Sequence, residues 1–185
     1  MLPDDLVPPD CPWPIVLGLD PGTRIVGYGA IVLAPDGPRL LACGVLRPPS
    51  RLAAAARLAR IAAELEEILR AVRPALVVVE RAFAARNVQS ALRIGEARGV
   101  ALAAAARAGA PVVELAPAAA KKALVGHGGA SKEQVAAMVA ARLGRGELAV
   151  PHDATDALAL ALAHVHRSRF AEIGRGTGAG GTNGA

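Results

Sequence analysis

Aromatic side chains are almost missing from this 185-residue sequence, which holds only Trp13, Tyr28, Phe83 and Phe170. Cysteine is as scarce. Cys11 and Cys43 are too few for a disulfide framework and have no zinc-ligand spacing, so a reducing compartment fits. No apolar run is long enough to cross a membrane, which gives no reason to expect a membrane partner. The first residues carry Asp4, Asp5 and several prolines where a signal peptide needs a basic start and an apolar core, so a cytoplasmic location is expected. No internal repeat is present, which excludes a solenoid.

What remains is an apolar content of 53% with 20% charged residues, enough for one domain with a sizeable core. The formal charge is +5 and the pI about 10.0, a surplus that suits an anionic partner without naming one.

The most informative stretch is Ile15 to Gly29. Ile15, Val16, Leu17, Gly18 and Leu19 read as a strand covered on both faces, and Pro21 and Gly22 are expected to stop it just after Asp20. A carboxylate at the end of a buried strand costs several kcal/mol unless a metal ion or hydrogen-bond donors offset it. By itself Asp20 has a plainer reading, as the residue that opens the turn. The pattern recurs, however. Leu76 to Val79 form a second apolar run and end on Glu80, so two acids are expected at one sheet edge, where a divalent cation would balance them.

Met1 to Trp13 reads as a disordered extension, and Gly174 to Ala185 as part of a disordered tail; the folded domain is expected over 14–170. Ile25 to Leu33 and Arg39 to Leu46 complete an antiparallel meander, turned at Pro35 to Pro38. A helix from about Arg51 to Val72 precedes the Glu80 strand, and a helix from Asn87 to about Ala108 follows it. On this second helix Ala91, Gly95, Gly99 and Ala103 fall four apart and form a face of small side chains, suited to packing on the sheet or to a subunit interface. Pro111 to Leu115 is a further strand, and the helix entered at Pro117 carries Lys121 and Lys122. Ser131 and Gln134 have capping-box spacing and open a helix with Lys132 in its first turn. The last helix starts near His152. Its Asp153 and Asp156 lie three apart on one face, and the apolar run from Ala157 to Leu162 marks it as largely buried. Cap and helix-dipole roles would account for these two acids separately. Together the elements predict an α/β fold: a five-stranded mixed sheet, antiparallel meander then parallel strands, with helices on both faces.

Asp20, Glu80, Asp153 and Asp156 each border a core element and can supply oxygen ligands for Mg2+ or Mn2+. Two such ions about 4 Å apart suit phosphodiester hydrolysis. The run from Gly18 to Arg24 with Gly27, Tyr28 and Gly29 resembles the start of the RuvC Holliday-junction resolvases. Glu80 with Phe83, then Asn87, Ser90, Ala91 and Leu92, then Ala97, Arg98 and Gly99 agree further, and Asp153 to Leu158 resemble the closing acidic motif. The resemblance implies a ribonuclease H-like fold and a structure-selective endodeoxyribonuclease that nicks four-way junctions symmetrically in recombination and repair. It makes Asp20, Glu80, Asp153 and Asp156 the metal-binding catalytic acids, with His152 or Asp153 as the ligand at that position and Asp153 favoured by register. It places Lys121 and Lys132 near the phosphates and Phe83 against junction bases, with Arg81, Arg86 and Lys122 as further DNA contacts. It also implies a homodimer through the small-residue helix, and leaves open a branch-migration motor as a further partner.

Three other readings compete. The Gly18 to Thr23 run also resembles the first phosphate loop of actin-like and sugar-kinase ATPases, but those need two such domains. A relative that trims structured RNA would use the same acids. A non-catalytic junction binder would be expected to have lost one or more of them, and all four are present.

Overall fold

The computed structural model describes residues 6–7, 11–22, 24–81 and 88–176, with backbone alone over 169–176. Strands β1 (Ile15–Pro21), β2 (Val26–Ala34) and β3 (Gly37–Leu46) form the expected meander, and α1 (Ala54–Val72) leads to β4 (Leu76–Glu80). Then come α2 (Val88–Arg107), β5 (Val112–Leu115), α3 (Pro117–Val125), α4 (Lys132–Arg142) and α5 (His152–Gly176). The sheet order is β3-β2-β1-β4-β5, with β1 antiparallel to β2 and parallel to β4. β4 and β5 are parallel as well.

Because successive strand residues face opposite sides, the sheet has two cores. Leu17, Leu19, Val77 and Val79 pack with Ile61, Leu65 and Ile68 of α1 and with Ala101 and Ala105 of α2. Val16, Ile31, Val78 and Leu115 pack on the other side with Leu124 of α3, Val139 of α4 and Leu158 and Leu162 of α5. Helices therefore cover both faces, as expected. Full burial of β1 explains its unbroken apolar run.

Some boundaries differ from expectation. Asp20 lies inside β1, whose last residue, Pro21, pairs with Val26. A proline is tolerated there because the strand ends and no further ladder donor is needed. In the stretch expected to be a loose extension, Val7 is 5% exposed and joins the α1–α2 core. Its carbonyl accepts a hydrogen bond from the Arg73 guanidinium. Helix α5 runs six residues past the expected Phe170, to Gly176. Residues 1–5, 8–10 and 177–185 lie outside the described residues.

Candidate active site

Strand alternation first decides where the acids point. Asp20 is paired with Gly27, and Gly18 with both Gly29 and Val78, so Asp20, Glu80 and these glycines all face the side covered by α5. The glycines then decide how close α5 comes. A Cβ on Gly18 would lie 1.9 Å from the Ala157 carbonyl oxygen, and one on Gly29 would lie 2.6 Å from Leu158 Cγ. A Cβ on Gly27 would lie 2.0 Å from the Asp153 carbonyl oxygen. Three side-chain-free positions on two paired strands thus let the helix backbone lie directly on the sheet. The first turns of α5 are thereby seated beside Asp20, and with them Asp153 and Asp156.

Electrostatics register this convergence. Burial raises the Asp20 carboxyl most, a hydrogen bond and repulsion from Glu80 and the charge of Asp153 add to it, and the group titrates at about 8 although Lys132 pulls it down. Burial also raises Asp156; Lys132 opposes this, while Asp20 and Asp153 reinforce it. Asp20 thus senses Glu80 and Asp153, and Asp156 senses Asp20 and Asp153, across β1, β4 and α5.

Two lysines approach the same place. Ser131 caps α4, accepting from the Gln134 backbone N–H at 3.2 Å while the Gln134 side chain accepts from the Ser131 N–H at 2.8 Å. This fixes Lys132 as the first residue of α4, with its Nζ 3.7 Å from Asp156 Oδ2. Lys121 on α3 donates to the Ala130 carbonyl at 2.7 Å, which holds its ammonium over the loop before α4. Glu80, Asp156, Lys121 and Lys132 line a recess of about 270 Å3 with an apolar wall that includes Val135 and Leu160. Such a hollow, lined by both carboxylates and amines, suits a phosphate bridged to cations.

Other predicted positions are placed differently. Lys122 is exposed on α3 and does not line this recess, and Arg81 is exposed one residue past β4. Phe83 and Arg86 lie outside the described residues. His152 is exposed, whereas Asp153 is half-buried and acts on both Asp20 and Asp156. His152 instead lies near Glu133, whose carboxyl is lowered first by a hydrogen bond from Ser131 and in smaller part by His152.

Among the described residues, no three His, Cys, Asp or Glu side chains are gathered tightly enough to enclose a metal ion. Asp20 is hydrogen-bonded to Glu80, and Asp156 Oδ2 lies 3.7 Å from the Lys132 ammonium. The set still fits hard divalent cations, since all the donors are carboxylate oxygens on rigid elements.

This cluster has a consequence for stability. A carboxyl with a raised folded-state pKa binds its proton more tightly in the folded chain. Its favourable contribution is complete below the unfolded value of 3.8 and is lost as pH rises through about 8. The metal-free protein should therefore melt at a lower temperature at about pH 9 than at about pH 6. Mg2+ should recover most of that loss at the higher pH by binding the folded state. Thermal unfolding of wild type and Asp20→Asn with and without Mg2+ checks it, and an equal pH response in both would refute the assignment.

The sequence model described as "Crossover junction endodeoxyribonuclease RuvC" matches residues 16–164, which take in all of β1 but its first residue, β2 to β5 and the first half of α5. The chain belongs to the RuvC family. A RuvC from Heliobacterium modesticaldum is 46% identical over 152 residues, covering 82% of this chain and 94% of that protein. The structure of Thermus thermophilus RuvC matches with a TM-score of 0.78 and 39% identity, over 85% of this chain and 96% of that one. T. thermophilus RuvC in complex with Holliday junction substrate matches with a TM-score of 0.76 and 37% identity, at the same coverage. The fold is accordingly the RuvC version of the ribonuclease H-like fold. Of the residues that build the site, the contact role of Gly18, Gly27 and Gly29 escaped sequence reasoning, although their alternate spacing along two adjacent strands was a visible signal.

Proposed function

We propose that this chain is a structure-selective endodeoxyribonuclease that resolves four-way DNA junctions by metal-dependent nicking of two strands, in the cytoplasm, during recombination and repair. The observation that carries the reading is the convergence of Asp20, Glu80, Asp153 and Asp156 where α5 lies on the glycines of β1 and β2. These four side chains would hold Mg2+, or Mn2+ in its place, as two ions per site. When bound, such ions supply an activated water and charge stabilisation at the scissile phosphate. Asp20 and Glu80 are anchored on neighbouring parallel strands and cannot drift apart, which keeps the ligand set organised before substrate arrives. Lys132 and Lys121 border the same recess and would offset negative charge developing on the phosphate oxygens. Arg81, Lys122, Arg86 and Phe83 would extend the DNA contact, Phe83 by stacking on a base, a contact worth about 1 to 3 kcal/mol.

A homodimer through α2 belongs to this proposal. Ala91, Gly95, Gly99 and Ala103 are all exposed, so they do not pack on the sheet, and Val88 and Leu92 beside them are 75% and 60% exposed. Mid-helix glycines cost about 1 kcal/mol each relative to alanine. Among the described residues nothing lies within 4 Å of where a Cβ on Gly95 or Gly99 would sit, and a second copy approaching closely would explain them. Two-fold symmetry would then present two equivalent sites to two strands of like polarity. Gly99→Arg should leave the monomer folded and weaken dimerisation at least about tenfold, the scale of a disrupted hot spot. Sedimentation equilibrium reads this, and an unchanged dimer would exclude this face.

The deciding experiment incubates the protein with a mobile four-way junction, with and without Mg2+, and maps the nicks. Paired symmetric nicks support a resolvase. Scattered cuts indicate a general nuclease, cutting of structured RNA alone indicates the RNA-trimming reading, and retardation without nicks indicates a binder.

A further inference from the structure

A second charged feature lies at the acids' edge of the sheet, on the opposite face. Leu46, the end of β3, pairs with Val26 beside Pro21, and β4 ends at Glu80, so α1 and α2 both begin at that edge. Arg24 of the β1–β2 loop, Arg57 in the first turn of α1 and Arg93 on α2 converge there on a recess of about 310 Å3. Ala54 and Gln89 also line it, and Glu96 is the one acid among its lining residues. None of the three guanidiniums ion-pairs with a carboxylate among the described residues.

Three like charges around one hollow repel each other, and they are tolerated most readily where an anion joins them. Guanidinium forks match phosphate oxygens in shape as well as charge. The start of α1 adds to the positive field: Ala53 offers no capping side chain and the first turn holds no acid. Position then selects the anion. Arg24 is four residues from Asp20, at most about 14 Å of extended chain. That span corresponds to about four base-pair steps of rise along the axis of a DNA duplex. We propose that this recess holds a backbone phosphate of junction DNA beside the strand that is cut, as a binding site separate from the acids and from the lysine-lined recess. The inference rests on the nuclease reading above.

The test measures binding of the full chain to a labelled four-way junction in EDTA at several salt concentrations. It compares wild type, Arg57→Ala/Arg93→Ala, Arg57→Lys/Arg93→Lys, and Arg39→Ala/Arg107→Ala, the last removing equal charge from the opposite edge of the sheet. Each lost phosphate contact lowers the slope of log affinity against log salt by about 0.9. The Arg57→Ala/Arg93→Ala chain should lose about 0.9 from that slope, the value for one phosphate, and bind at least about tenfold more weakly at about 0.1 M salt. The lysine pair should recover most of the slope, and the remote pair should keep the wild-type slope. Should the alanine pair melt well below wild type, Arg57→Gln/Arg93→Gln is read by the same slope criterion. An unchanged slope in the recess variants, or an equal loss in the remote pair, overturns the proposal. Wild type that fails to retain the junction overturns the nuclease reading instead.

Discussion

Asp20→Asn is expected to lower junction cleavage at saturating Mg2+ by about 10^3-fold or more, the scale on which loss of one electrostatic group at a reacting centre reduces kcat. The amide keeps the shape of the side chain but removes its charge from the centre of the acid cluster. Burial first and then Glu80 raise the Asp20 carboxyl, so its ionised form is disfavoured in the folded chain without a cation. The same substitution should make the metal-free protein more stable at about pH 8, since the amide has no charge to desolvate. Junction binding in EDTA should persist, because the basic surface is untouched and one negative charge has gone. Single-turnover cleavage, retardation and thermal unfolding on one preparation test all three. Cleavage within tenfold of wild type would remove Asp20 from the chemistry.

Gly27→Ala should separate geometry from ligand identity. The added methyl carbon would sit 2.0 Å from the Asp153 carbonyl oxygen and 2.4 Å from its carbonyl carbon, and these are backbone atoms that cannot rotate aside. The first turn of α5 must lift, taking Asp153 and Asp156 away from Asp20 while every acid remains in the sequence. Overpacking of this kind costs about 1 to 3 kcal/mol. Misplacement of a catalytic group by about 1 Å costs about 10^2-fold in rate. The expected result is a folded, DNA-binding protein with cleavage reduced about 10^2-fold. Gly146→Ala, where nothing among the described residues lies within 4 Å, is the matched control and should cut like wild type. Wild-type cleavage by Gly27→Ala would show that α5 need not lie so close.

Much of this site is readable from residues. Asp20 and Glu80 announce themselves because a carboxylate at the end of an apolar run is physically unusual, and the Ser131–Gln134 spacing marks the start of α4, which the structure places at Lys132. The start of α1 is less legible: the sequence points to about Arg51 and the helix begins at Ala54, since no capping side chain marks it. The small-residue stripe of α2 is equally ambiguous in one dimension, where sheet packing and an interface demand the same residues. In the fold these residues are exposed and do not pack on the sheet.

The chain by itself determined the order and type of the elements, the two strand-end acids, and the shared face of Asp153 and Asp156, because periodicity and capping act over a few residues. Only the tertiary structure decided that α5 lies against Gly18, Gly27 and Gly29, that Asp20 and Glu80 share a hydrogen bond, and that Arg24, Arg57 and Arg93 meet. Those relations join residues tens of positions apart. They depend on how closely a helix can approach a sheet, a distance set by the packing of both cores and not by any local pattern.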